Sequence, residues 1–105
     1  MATLQDFKAE LFRALGSPVR IRILEILRET ESLTVGELQQ RLGIESSNIS
    51  QHLSVLRNRG LIQADRKGTS IWYSLAEPEL GNLLDAARAI FEHQHLARSR
   101  LLGAP

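Results

Sequence analysis

Apolar side chains recur along this chain in two rhythms, and the switch between them lays out its elements. In "LQDFKAELFRAL", Leu4, Phe7, Leu11, Phe12 and Leu15 repeat every three or four positions, the spacing of one helix face, and Gly16 is placed to end that helix. Ser17 and Pro18 then supply an N-cap and a first-turn proline for a second helix. That helix, "PVRIRILEILRET", is apolar at Val19, Ile21, Ile23, Leu24, Ile26 and Leu27. The apolar face is too broad for a surface stripe, so the segment reads as the central core helix, with Arg20, Arg22 and Arg28 at its margins.

In "LTVGELQQRLGI", Thr34 and Glu37 have the spacing of a capping box, Val35, Leu38 and Leu42 form an apolar face, and Gly43 stops the helix. The short turn "GIE" leads into "SSNISQHLSVLRNRG", where Ser46 or Ser47 is the expected cap and Gly60 the expected terminator. Wound at about 100° per residue, this segment puts Ile49, Leu53 and Leu56 on one side and Ser47, Gln51, Ser54 and Asn58 on the other. Solvated helix faces usually carry Glu and Lys. This one carries small uncharged groups that donate and accept hydrogen bonds. Two short helices joined by a glycine turn, the second polar on its outside, predict a helix-turn-helix over residues 34–60.

After Gly60 the rhythm becomes alternating. "LIQADR" and "IWYSLA" read as strands and "KGTS" as the turn between them, predicting a two-stranded β-hairpin over 61–76 with Arg66 and Lys67 near its tip. Trp72 and Tyr73 alternate across the second strand, so one is expected on the core and the other partly exposed. From Pro78, Leu80, Leu83, Leu84, Ala87, Ile90, Phe91 and Gln94 return to the three-four rhythm and predict a helix to position 102. That is longer than the core of one small domain needs.

Composition narrows the chemistry. A chain of 105 residues makes one domain, 1–105, and with no cysteine it has no disulfide, thiol switch or thiolate metal ligand. No run of about eighteen apolar residues is present for a membrane span, and the opening residues carry charges where a signal peptide needs apolar ones, so a cytoplasmic location is expected. The formal net charge of +1 is unevenly spread: residues 46–75 hold Arg57, Arg59, Arg66 and Lys67 against Asp65 alone. Such an excess suits either a polyanionic partner or ordinary surface solvation.

The order helix, helix, helix-turn-helix, hairpin, helix resembles the winged helix-turn-helix repressors of the ArsR type across nearly the whole chain. The matching stretches are "ALGSPVRIRILEIL", similar to the family's core helix, "SSNISQHLSVLRNRGLI", similar to its recognition helix, and "RKGTSIWYSL", similar to its wing. Within the second, Ser50, His52-Leu53, Leu56 and Gly60-Leu61 stand at the family's positions. The resemblance implies a mainly α fold with a hairpin wing, dimerised through helices at 1–16 and 78–102. It also implies a homodimeric, sequence-specific regulator of transcription, usually a repressor, that binds a double-stranded DNA operator.

On that footing Gln51 is the first candidate for a base contact, since its amide can pair bidentately with adenine. Ser47, Asn48, Ser50, Ser54 and Asn58 suit phosphate or mixed contacts, His52 suits packing or a phosphate hydrogen bond, and Arg57, Arg66 and Lys67 supply electrostatic attachment. Leu4, Phe7, Leu11, Leu83, Leu84, Ala87, Ile90 and Phe91 are plain core or, more easily buried between two chains, the dimer interface. The family's metal sites are absent from the pattern. No cysteine stands in "LTVGELQQRL", and Asp85 is followed two places on by Ala87 where a zinc site needs His. No metal or other cofactor is therefore expected, and no effector can be read. His93 and His95 point to different helix faces, so the alternative metal site is one of Glu92 and His95 shared across a dimer. Catalysis is not expected: Ser54 and His52 diverge on the helix, no acid orients the His, and there is no Gly-rich phosphate loop. A winged helix that binds protein instead of DNA is a further alternative, and it would need exposed apolar anchors on the polar-faced helix, where only Val55 qualifies.

Overall fold

The computed structural model describes residues 2–101. Helix α1, Leu4–Leu15, starts at a reciprocal capping box absent from the sequence reading: Asp6 N–H donates to Thr3 Oγ1 at 3.0 Å and Thr3 N–H donates to Asp6 Oδ2 at 3.1 Å. These bonds favour the ionised carboxylate and hold Asp6 below its usual range. Helix α2, Pro18–Glu29, begins with Pro18 and is capped by Ser17, whose hydroxyl accepts from Arg20 N–H. Its Ile23, Leu24 and Leu27 are fully buried and form the centre of the core, as its broad apolar face required.

Strand β1, Leu33–Thr34, leads into α3, Val35–Leu42, which opens on the expected Thr34/Glu37 box and closes at Gly43 in the left-handed conformation, φ 69°. Helix α4, Ser46–Asn58, differs at its start from the expectation. The N-cap is Glu45, in extended backbone, with no side-chain cap bond. Helical backbone begins one residue earlier than a serine cap would allow, so Ser46 and Ser47 sit inside the first turn and keep their hydroxyls outward. At the other end Gly60 takes φ 72°, its N–H donates to the Arg57 carbonyl, and Leu61 N–H donates to the Leu56 carbonyl at 3.0 Å. This is a Schellman closure, and both Leu56 and Leu61 are buried beneath it.

Strands β2, Ile62–Lys67, and β3, Ser70–Leu75, form the expected antiparallel hairpin, with Lys67 opposite Ser70. The connection is Gly68-Thr69, shorter than the "KGTS" turn, because Gly68 at φ 65° reverses the chain in two residues and lets Lys67 and Ser70 pair. The pairing of β1 with β3, Leu33 against Tyr73 and Thr34 against Trp72, enlarges the hairpin to a three-stranded sheet of order β1-β3-β2. Two residues are too few to show an alternating period, which is why β1 escaped the sequence. Tyr73 packs against the core while Trp72 is half-buried.

Helix α5, Glu79–Leu101, closes the described chain; position 102 of the expected helix and position 1 of the expected N-terminal segment lie outside the described residues. Leu80 is buried, and Leu83 and Leu84 pack against the core. From Asp85 to Arg98 every residue is exposed. The first turns thus tie α5 to the domain, and the remainder stands clear of it. No described helix is long and apolar enough to cross a membrane.

Candidate nucleic-acid interface

The interface is built on α4. Ile49, Leu53 and Leu56 are sealed into the core, which fixes the rotation of the helix about its axis. The opposite face then follows from geometry: Ser47, Asn48, Ser50, Gln51, Ser54, Arg57 and Asn58 are all exposed. Among the described side chains from 46 to 59, hydrogen bonds to the rest of the protein are made by His52 and Arg59, so the other polar groups keep their bonding capacity for a partner. Val55 is the one large apolar side chain exposed on this helix.

His52 is the exception within the set. It is half-buried at the margin of the stripe, and Arg20 Nη1 donates to its Nδ1 at 3.3 Å. Burial, and then the charge of Arg20, push its pKa below the ordinary histidine value. The same guanidinium donates from Nε to the Ala14 carbonyl at 2.6 Å and from Nη2 to the Arg13 carbonyl at 3.3 Å. These are carbonyls of the last turn of α1, where helical partners run out. Arg20 is therefore a junction of α1, α2 and α4, not a marginal residue. A second link from α1 is Glu10, which accepts from Arg59 Nη2 at 2.7 Å and also pairs with Arg13. Neither junction had a sequence signal, since the partners stand 32 and 49 positions apart.

Arg66 and Lys67 are exposed at the end of the hairpin, and Lys67 Nζ lies 5.9 Å from the Trp72 ring centroid. The tip is basic, held on a sheet whose inner face is anchored by Ile62 and Tyr73.

The other expected surface is apolar. Phe7, Ile90 and Phe91 are 60%, 58% and 63% exposed, and Leu4 and Ala87 are exposed too. Leu11, Leu83 and Leu84 are half-buried against the core and reach the surface only in part. Phe12, Leu96 and Leu101 add exposed apolar area that the expected set omitted. Phe7, Leu11, Leu61, Leu80 and Leu83 line a groove of 780 Å³ between α1, the end of α4 and the start of α5.

The residues weighed for a metal have other partners. Arg28 clamps Asp85 with two bonds, 2.7 and 2.8 Å, and holds its carboxyl below the usual carboxylate range. Gly81 makes room for this clamp, because a Cβ there would stand 2.7 Å from Arg28 Nε. Glu92 lies 3.9 Å from Arg88, and His95 stacks on Phe91 with ring centroids 5.8 Å apart. Among the described residues no three His, Asp or Glu side chains come together as a group that could hold a metal.

Three comparisons give this geometry a setting. The family model described as "Bacterial regulatory protein, arsR family" matches residues 17–64, from the cap of α2 into β2. The chain is 48% identical over 88 residues to the HTH-type transcriptional regulator Rv0081 of Mycobacterium tuberculosis, covering 83% of this chain and 76% of that one. The crystal structure of Rv0081 superposes with a TM-score of 0.83 at 43% identity over 93% of this chain and 98% of that one. The transcriptional repressor BigR of Xylella fastidiosa superposes at 0.72, with 34% identity and coverage of 86% and 97%. The homodimeric winged helix-turn-helix DNA-binding domain Mb0332 of Mycobacterium bovis superposes at 0.75, with 25% identity and coverage of 88% and 91%.

Proposed function

Since the chain belongs to the arsR family of bacterial regulatory proteins, we propose that it is a homodimeric, sequence-specific DNA-binding regulator of transcription that acts as a repressor in the bacterial cytoplasm. The observation that carries the reading is the outward stripe of α4, polar, exposed and almost free of bonds within the chain, opposite a fully buried Ile49, Leu53 and Leu56. A major groove admits one helix and presents donors and acceptors to such a face, whereas a protein partner is best held by apolar anchors. In this role Gln51 reads a base edge, Ser47, Asn48, Ser50, Ser54 and Asn58 hold phosphates or mixed sites, and Arg57, Arg66 and Lys67 neutralise backbone charge.

Two copies join through α1 and α5, along Leu4, Phe7, Leu11, Leu83, Leu84, Ala87, Ile90 and Phe91. A two-fold axis there places two α4 helices on successive major grooves of a palindromic operator, about 34–36 Å apart. A gel shift with the DNA upstream of the protein's own gene tests the reading. A retarded band that resists excess random duplex is expected; equal competition by random duplex, or no band at low salt, overturns it.

A further inference from the structure

The junction at Arg20 does more than brace three helices. We propose that Arg20 is a positioning residue for DNA contact: it fixes the ring of His52 so that Nδ1 accepts inside the protein and Nε2–H points outward as an uncharged donor to a backbone phosphate. This rests on the DNA-binding reading above.

The ring's proton follows from donor chemistry. A guanidinium carries five N–H donors and no acceptor, so the Nδ1 it meets at 3.3 Å must offer a lone pair. The ring proton is then on Nε2. That nitrogen has no described protein partner, and no buried side-chain nitrogen or oxygen lacks a partner among the described residues, so Nε2 opens to solvent. The ring's place is set as firmly as its tautomer. Arg20 is anchored by carbonyls of Arg13 and Ala14, while Leu53, the next residue on α4, is buried. His52 stands beside Gln51 and one helical turn from Asn48, on the border where the polar stripe meets the domain.

The charges around the pair keep the ring neutral. From α2 there is Arg20; from α1, Glu10 and Arg13 line the same crevice, as does Arg59 beyond the end of α4. Glu10 is taken up by Arg13 and Arg59, which leaves Arg20 as the charge that His52 meets. Burial and that cation both oppose an imidazolium and lower the pKa. A neutral donor strengthens when its acceptor is ionised, as a phosphate is, yet releases no counterion. Its contribution is therefore insensitive to salt and steady through neutral pH, unlike that of a cationic histidine.

Two measurements on the full chain test this. Long-range proton–nitrogen spectra of the free protein at pH 7, with His93 and His95 as internal comparisons, are expected to show His52 as the Nε2–H tautomer. An Nδ1–H ring or an imidazolium would overturn the proposal, whatever the protein does with DNA. Fluorescence anisotropy with a random duplex and with the upstream duplex reads the contact itself. His52→Ala is expected to weaken both by about tenfold with the salt slope unchanged. An unchanged affinity, or a slope smaller by about one unit, refutes a neutral phosphate donor.

Arg20→Gln removes the charge and the fixed orientation. Its His52 is expected to titrate nearer the ordinary histidine value and to populate both tautomers, and its DNA affinity to rise on acidification through pH ~6.5 as the ring gains a charge. Arg20→Lys keeps the charge but cannot serve the ring and both carbonyls at once, so it is expected not to restore the single tautomer. Full restoration by Lys would reduce Arg20 to a source of charge and contradict the positioning role. Should Arg20→Gln fail to fold, the wild-type tautomer and His52→Ala decide the matter. Wild-type protein that binds neither duplex at low salt would remove the DNA reading, while the tautomer still judges the Arg20–His52 geometry.

Discussion

The outward stripes of α4 and α5 are helix faces of similar exposure, yet one is Ser, Asn and Gln and the other Ala, Ile and Phe. Water satisfies the first at no cost, so α4 waits in solution for a partner without penalty. The second forgoes about 25 cal/mol for each Å² of apolar surface left wet. The contrast teaches what kind of partner each face has. The α4 stripe suits a partner that comes and goes, and the stripe of α1 and α5 a partner that stays. Arg20 and the Glu10–Arg59 pair connect the two, since both tie the end of α1 to α4.

The hardest way to break the contrast is to make the apolar stripe polar. Ile90→Asp with Phe91→Asp removes two large side chains from each half of a two-fold interface, on the order of 6 kcal/mol per dimer, and buries charge there as well. Monomers by light scattering and loss of operator binding are expected, with the helical content kept. Next in size is the inner side of α4. Leu56→Ala is expected to cost about 2–5 kcal/mol of folding stability in urea, because it empties a fully buried site. Ser54→Ala, on the outer side of the same helix, should stay within about 0.5 kcal/mol by that measure. Should the two cost the same, the orientation of α4 is wrong.

Within the polar face, Gln51→Ala is expected to cost about 1–3 kcal/mol on the true operator and to alter the preference at one base pair in each half-site, leaving the salt slope nearly intact. Arg66→Ala with Lys67→Ala is expected to weaken all sequences alike and to shallow the salt slope by about two units. Titrations on an operator library separate these roles, and a changed sequence preference in the wing variant would invert them. The smallest effect expected is none: with Asp85 clamped by Arg28 and His95 stacked on Phe91, operator affinity should not move on addition of zinc or of a chelator. Stoichiometric zinc binding that is lost in His95→Ala and coupled to DNA release would establish the Glu92/His95 alternative.

What could be read beforehand was whatever repeats locally. The stripes of α1, α2, α4 and α5, the Thr34/Glu37 box, and the glycines at 43 and 60 are all written within a few neighbouring residues, and the structure places them where the periods put them. The polar outer face of α4 was legible for the same reason. What escaped was written across distance or in too few letters. Strand β1 has two residues, and its pairing depends on β3 some forty positions away. Arg20 looked like a marginal charge on a core helix, because nothing near it in sequence names His52, Arg13 or Ala14 as partners. Gly81, inside a regular helical period, gave no hint that Arg28 lies across it. The serine cap of α4 failed for a different reason: a capping residue is defined by where helical backbone starts, and composition alone could not decide between Glu45 and the serines that follow.

The most direct measurement of the central claim, that a polar face takes DNA while an apolar face takes a second copy, is native mass spectrometry of the protein mixed with its upstream duplex. The expected species are two chains without DNA, and two chains with one duplex, with no appreciable single chain in either case. A single chain bound to a duplex, or a dimer that leaves the duplex free at low salt, would contradict it.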